Sequence, residues 1–152
     1  MIDHAELEIS MDRISALPVD LLVNRRVKTL RLVCPDRSSS IAVAADAFRA
    51  SRNLTERLDI ERCTVQSLAF LTDFVRLNAL SVHDTAMTNL IDVPYLANLT
   101  TVDVTDNPNF SNWYYPSQTP SVTSITIKST LNDMSASRIF DSNCFSFYFL
   151  AF

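Results

Sequence analysis

Short stretches of alternating apolar and polar residues recur along the chain at near-constant intervals. Leu77-x-x-Leu80-x-Val82 is followed by Leu99-x-x-Val102-x-Val104, 22 residues later. Taking the first inward apolar residue of each stretch as its anchor, the register extends in both directions. Anchors fall at Leu7, Leu30, Leu58, Leu80, Val102, Ile125 and, in the apolar tail, Tyr148. The steps are 23, 28, 22, 22, 23 and 23 residues. Alternation over a few residues predicts a half-buried strand, and a sustained period of about 20–29 residues predicts a stack of strand-and-return units. Three places before the anchor stand Val27, Leu77, Leu99, Val122 and Phe145, whereas His4 and Thr55 break this apolar column.

The segments between strands differ. Residues 7–18 read Leu-x-Ile-x-x-Asp-x-Ile-x-x-Leu-Pro. The second unit is longer by five or six residues, and its surplus is expected in the polar, turn-rich Pro35–Ser40. Phe48, Leu71 and Phe74 are candidate inward residues of return segments, and Pro94 suits such a segment better than a strand ladder. Residues 108–120 carry Phe110, Trp113, Tyr114 and Tyr115 among three prolines. That segment reads either as a lid buried over the core or as an exposed aromatic contact site.

The position five after each anchor holds Asp12, Pro35, Cys63, Thr85, Asn107 and Thr130. An inward amide or hydroxyl there can bond the backbone of the next unit. Cys63 is expected to be a small buried thiol with a weak S–H donor. Cys34 and Cys144 have no assigned partner, because three cysteines do not make a complete disulfide framework.

These repeats resemble the leucine-rich-repeat superfamily. The phrase at residues 7–18 and Ala47-Phe48 before the next strand are most similar to the extracellular animal members, the Toll and chaoptin types. The resemblance implies an α/β solenoid: a parallel sheet arc with irregular or short helical segments on its convex side. It implies one domain over 1–152, about six repeats and a truncated last strand, as a fragment of a longer chain. It also implies protein recognition rather than an activity.

Composition narrows the chemistry. Glycine is absent, where average usage of about 7% would give about ten. Phosphate-cradling loops, dinucleotide fingerprints and glycine-flanked nucleophile elbows are therefore excluded. Turns that need a positive φ must use Asn, Asp or strained residues. The net charge is −4, and the densest basic cluster is Arg25, Arg26, Lys28 and Arg31. Neither feature is a footprint for nucleic acid. No stretch reads as a signal peptide or a membrane span.

If anchor and +2 positions point inward, +1 and +3 positions face the concave side. The +1 column is Glu8, Arg31, Asp59, Ser81, Asp103, Thr126. The +3 column is Ser10, Val33, Glu61, His83, Thr105, Lys128. Asp59, Glu61, His83, Asp84, Asp103 and Asp106 should thus gather into one acidic patch. Only Arg62 and Lys128 are expected nearby as counter-charges. As an ordinary solvated face the patch needs no further explanation; its functional reading is a partner-binding surface for a protein ligand with a basic patch, with Phe110, Trp113, Tyr114 and Tyr115 as a second candidate surface. Neither metal nor cofactor is expected. A hydrolase or metal-dependent reading of Ser81, His83 and Asp103 is an alternative; against it, no base is expected to be held against the Ser81 hydroxyl. Asn53, Asn98 and Asn109 begin glycosylation sequons. They favour an extracellular or cell-surface chain; a cytoplasmic adaptor is the alternative.

Overall fold

The computed structural model describes residues 2–10, 16–17, 25–35, 40–43, 48, 50–65, 67–85, 87–107, 110, 118–127 and 147–149. They form a β-solenoid built on a parallel sheet, with almost no helix. Seven strands make the main sheet: β1 (Ile2–Ser10), β3 (Arg25–Val33), β5 (Arg57–Glu61), β7 (Ala79–His83), β8 (Thr101–Asp103), β9 (Ser124–Ile127) and β10 (Phe147–Phe149), side by side in that order. The intervening labels belong to a narrow second sheet of β2 (Ala16–Leu17), β4 (Ser40–Val43) and β6 (Thr64–Val65). Each turn of chain crosses the main sheet once. The first three also cross the narrow one.

The anchors line up as the periodicity predicts. Leu7 pairs with Leu30, Leu30 with Leu58, Leu58 with Leu80, Leu80 with Val102 and Val102 with Ile125. The last step differs by one residue, because Phe147 rather than Tyr148 lies opposite Ile125. A strand has a side-chain period of two, so a one-residue change of register exchanges its faces. Phe147 and Phe149, not Tyr148, therefore share the columns of Ile125 and Ile127.

Anchor and +2 residues from Leu30 to Ile125 are buried and form one core with Val27, Leu77, Leu99 and Val122 from the column three places earlier. Thr55 sits in that same column and is fully buried too. Its hydroxyl donates to the Val27 carbonyl at 2.8 Å, so a polar side chain is tolerated among the apolar ones. On the far side Phe48, Phe70 and Phe74 pack together with ring centroids 5.5–6.4 Å apart. Phe70 and Leu71 lie on the short 3-10 turn Ala69–Leu71.

The second turn is irregular in the way its sequence suggests. Ile41 pairs with Val65 although they stand eleven and seven residues past their anchors. Four surplus residues are thus accommodated before Ile41. Pro35, expected at the inward position, is exposed, and Cys34 turns inward in its place. Cys34 is disulfide-bonded to Cys63, with Cα atoms 5.0 Å apart. This corrects the expectation of a free Cys63 thiol. Among the described residues the second turn has no positive-φ corner before Cys34, so its inward position comes one residue early, at +4 rather than +5, across from Cys63 of the adjacent turn.

Two turns further along, the same inward column is held by hydrogen bonds. The Asn107 side-chain amide donates to the carbonyls of Val82 at 2.7 Å, Val104 at 3.0 Å and Thr105 at 3.1 Å. Its carbonyl accepts from the Thr85 N–H at 3.0 Å and the Thr85 hydroxyl at 2.6 Å. Asp12 and Thr130, the ends of this column, lie outside the described residues.

A chain without glycine must still turn off the sheet after each strand. Arg62, Asp84 and Asp106, all four places after an anchor, take positive φ values of 59°, 52° and 58°. Asp is among the residues that tolerate this region best, and Arg62 is the least suited of the three. The corner is stabilised across turns: the Arg62 N–H donates to the His83 carbonyl at 2.9 Å and the Asp84 N–H to the Thr105 carbonyl at 3.1 Å.

Candidate functional site

The solvent face of the main sheet carries the +1 and +3 columns. Register sets Asp59 beside Ser81 and Ser81 beside Asp103, with Glu61 beside His83. Asp59, Glu61, His83 and Asp103 therefore meet on three adjacent strands, half-buried against one another. Asp84 and the exposed Asp106 stand at the positive-φ corners beside them.

These carboxylates are more fully paired than the sequence reading expects. Arg31 joins Glu8 at 3.2 Å on one side and Glu61 on the other. Arg57 donates from Nε to both oxygens of Asp59 at 3.0 Å. Arg62 lies 3.4 Å from Glu61. The expectation that only Arg62 and Lys128 stand near as counter-charges is thus corrected. Arg31 is in the +1 column, directly beside Asp59, and Arg57 is at −1, which faces the same side of the sheet. Lys128 lies outside the described residues. The guanidinium of Arg31 is held above its ordinary pKa by its hydrogen bond to Glu61, and that of Arg57 by its hydrogen bond to Asp59. Such exposed ion pairs contribute little stability. What they do is fix the side chains in one arrangement.

His83 is the centre of the patch. Its Nε2 lies 3.1 Å from Ser81 Oγ and 3.3 Å from Asp103 Oδ2. Asp103 also accepts from the Thr105 N–H at 3.0 Å and from the Thr105 hydroxyl. The hydrogen bond to Asp103 raises the His83 pKa against an opposing effect of burial, with Asp59 and Asp106 adding to the rise. For Asp103, burial is the largest single influence and pushes upward. Together the hydrogen bonds from His83 and Thr105 outweigh it, and the carboxyl titrates below its ordinary range.

The Ser81–His83 contact corrects the expectation that no base stands against that hydroxyl. Side chains two apart on a strand point the same way, and the imidazole is long enough to bend back over Ser81. The arrangement still differs from a hydrolytic relay. A relay needs two ring nitrogens, one to take the serine proton and the other to donate to the carboxylate. Here one nitrogen, Nε2, serves both neighbours. When its proton is directed at Asp103, it has no lone pair with which to receive one from Ser81.

Among the described residues no group of three His, Cys, Asp or Glu side chains is arranged to hold a metal ion. Phe110 of the aromatic segment is buried in the core. Trp113, Tyr114 and Tyr115 lie outside the described residues, as does Asn109. Asn53 and Asn98 are exposed, and the Asn98 side chain donates to the Val75 carbonyl of the preceding turn. No described helix is long and apolar enough to cross a membrane.

No protein-family model, curated protein or solved structure matches the chain.

Proposed function

We propose that the chain is a leucine-rich-repeat recognition module, part of a receptor or a secreted protein, which binds a protein ligand across the solvent face of its main sheet. The observation that carries this reading is the row of fixed polar side chains, Arg57–Asp59, Arg31–Glu61 and His83–Asp103, set in register across adjacent strands. A rigid array of that kind orders few side chains on binding, which lowers the entropic cost of association. Solenoids use such extended surfaces for partners. The patch stays acidic after internal pairing: Glu8, Asp59, Glu61, Asp84, Asp103 and Asp106 outnumber Arg31, Arg57 and Arg62 by 6 − 3 = 3. A ligand with a basic patch fits that balance and would be steered toward it at low ionic strength.

An extracellular or cell-surface location is part of this proposal. The buried Cys34–Cys63 disulfide supports it, because such bonds persist in oxidising compartments and are rare in the cytosol. Exposed sequons at Asn53 and Asn98 fit the same setting.

The test is binding to an array of secreted and ectodomain proteins, with wild type compared with the triple variant Asp59→Asn, Glu61→Gln, Asp103→Asn. The proposal expects a ligand that the folded variant loses, with an on-rate that falls as salt rises. Ligands bound equally by both proteins would take recognition away from this face.

A further inference from the structure

His83 and His4 are the only histidines of the chain. His4 lies on β1, three strands away from β7 in the main sheet. Of the side-chain types on the acidic face, imidazole alone ordinarily changes charge between pH 5 and 8. The groups around His83 come from three strands. β5 sets Glu61 beside it in register and Asp59 beside Ser81, with Arg31, Arg57 and Arg62 holding these two carboxylates. β8 contributes Asp103 and Thr105, with Asp106 at the following corner. On β7 itself stand Ser81 and, at its own corner, Asp84. His83 is thus the group through which a near-neutral change of pH reaches this face.

Its two ring nitrogens are used unequally. Nε2 faces Asp103 at 3.3 Å and Ser81 at 3.1 Å. An ionised carboxylate only accepts, so the proton of neutral imidazole is drawn to Nε2 and Nδ1 carries the lone pair. Among the described residues no group bonds Nδ1, and the side chain is 39% exposed. Neutral His83 therefore presents an acceptor to an incoming molecule, among six acids and three arginines. Uptake of a proton turns Nδ1 into a donor and lowers the acidic excess from three to 6 − 4 = 2. Both changes act against a cationic side chain, which loses its acceptor and meets a like charge. Neither disturbs the sheet. The imidazolium keeps Nε2–H on Asp103 and strengthens that pair. The fold is thus firmest where attraction for a cation is weakest.

We propose that His83 gates the acidic face: a lysine or arginine side chain of the partner docks on its neutral Nδ1 and leaves when mild acid protonates the ring. This rests on the reading of the face as a surface for a basic protein ligand. To that reading it adds the contact at the centre and the condition for release. Affinity and stability then run opposite ways with pH, so release is not a by-product of unfolding. The Asp103 hydrogen bond, which raises the imidazole pKa, keeps release in the mildly acidic range.

The probe is a fluorescein-labelled octalysine peptide, titrated with the intact protein at low ionic strength, at about pH 8 and about pH 5.5. Saturable binding is expected at the higher pH and about fivefold weaker binding at the lower, the small end of couplings between two sites. His83→Gln, whose amide can still donate to Asp103, should bind the peptide almost equally at both. Linkage is reciprocal. Saturating peptide should therefore lower the midpoint of the His83 imidazole titration, followed by NMR, by the same factor, about 0.7 of a pH unit. His4→Gln assigns the two imidazole signals. This second measurement keeps His83 itself, so it needs no folded variant at that position. Equal affinity at both pH values, an unchanged midpoint, or a pH dependence retained in His83→Gln would overturn the gate. The triple variant Asp59→Asn, Glu61→Gln, Asp103→Asn separates the gate from the recognition reading. Peptide binding that this variant loses but that ignores pH removes the gate alone. Binding that the variant keeps, or no saturable binding at all, removes both.

Discussion

Asn107 reaches across one turn of the solenoid to Thr85, accepting both the Thr85 N–H and its hydroxyl while its own amide satisfies the Val82 carbonyl. Both residues are buried. Removing the amide leaves several backbone groups unsatisfied at once, and each such group costs about 1–3 kcal/mol. Asn107→Ala should therefore destabilise the fold by about 3 kcal/mol in denaturant titration. A loss under about 0.5 kcal/mol, the range of surface changes, would show that the amide is not inward.

The core should be graded from β1, the first strand of the described sheet, to its middle. Leu80 is buried between two neighbouring turns, whereas Leu7 at the edge is partly exposed. Leu80→Ala should cost about 2–5 kcal/mol. Leu7→Ala should cost distinctly less, since less of its surface leaves water on folding. Equal losses in unfolding experiments would mean that the edge is covered.

Much of this fold was legible in the chain because each inward column repeats apolar residues at the right spacing. The anchors Leu30, Leu58, Leu80, Val102 and Ile125 are examples. The narrow sheet of β2, β4 and β6 escaped notice because strands of two to four residues carry almost no periodicity. The disulfide was hidden because the second turn goes inward at Cys34, one residue before the +5 position that Pro35 holds. The ion pairs were underestimated because Arg57 lies at −1, outside the two columns from which the patch was assembled. The Ser81–His83 contact was missed because a Cα separation of about 6.5–7 Å along a strand says little about how far an imidazole reaches.

The cysteines give a chemical count. Denatured but unreduced protein should take up one equivalent of alkylating reagent, at Cys144, and three after reduction. Both bonded cysteines are fully buried, so the folded protein should resist mild reductant. Replacing both with Ala frees a loop of 29 residues and should cost about 3–4 kcal/mol on the chain-entropy estimate. Mass spectrometry of the alkylated protein that finds three labels without reduction would contradict the bond.

His83 should make stability depend on pH. Its pKa is raised in the folded chain, so its contribution is fully present below its unfolded value and is lost as pH rises through the higher folded value. Asp103 is shifted down, so its contribution is present above its unfolded value and is lost as pH falls through the lower folded value. The pair is therefore strongest in the mildly acidic range between the two. Relative to His83→Gln, wild type should gain stability as pH falls from about 8 to about 6. Parallel stability curves over that range would show that the imidazole does not engage Asp103.

The central claim is that Asp59, Ser81 and Asp103 stand in one row on one face of a parallel sheet, since the proposed recognition face depends on that register. It can be measured with cysteine pairs in a Cys144→Ser background. Adjacent parallel strands lie about 4.8 Å apart, within the Cα range of a disulfide. Asp59→Cys with Ser81→Cys should cross-link rapidly under mild oxidation of the folded protein, whereas Asp59→Cys with Val82→Cys should not, because Val82 faces the core. Cross-linking of the second pair and not the first would place the strands one residue out of register and contradict the account.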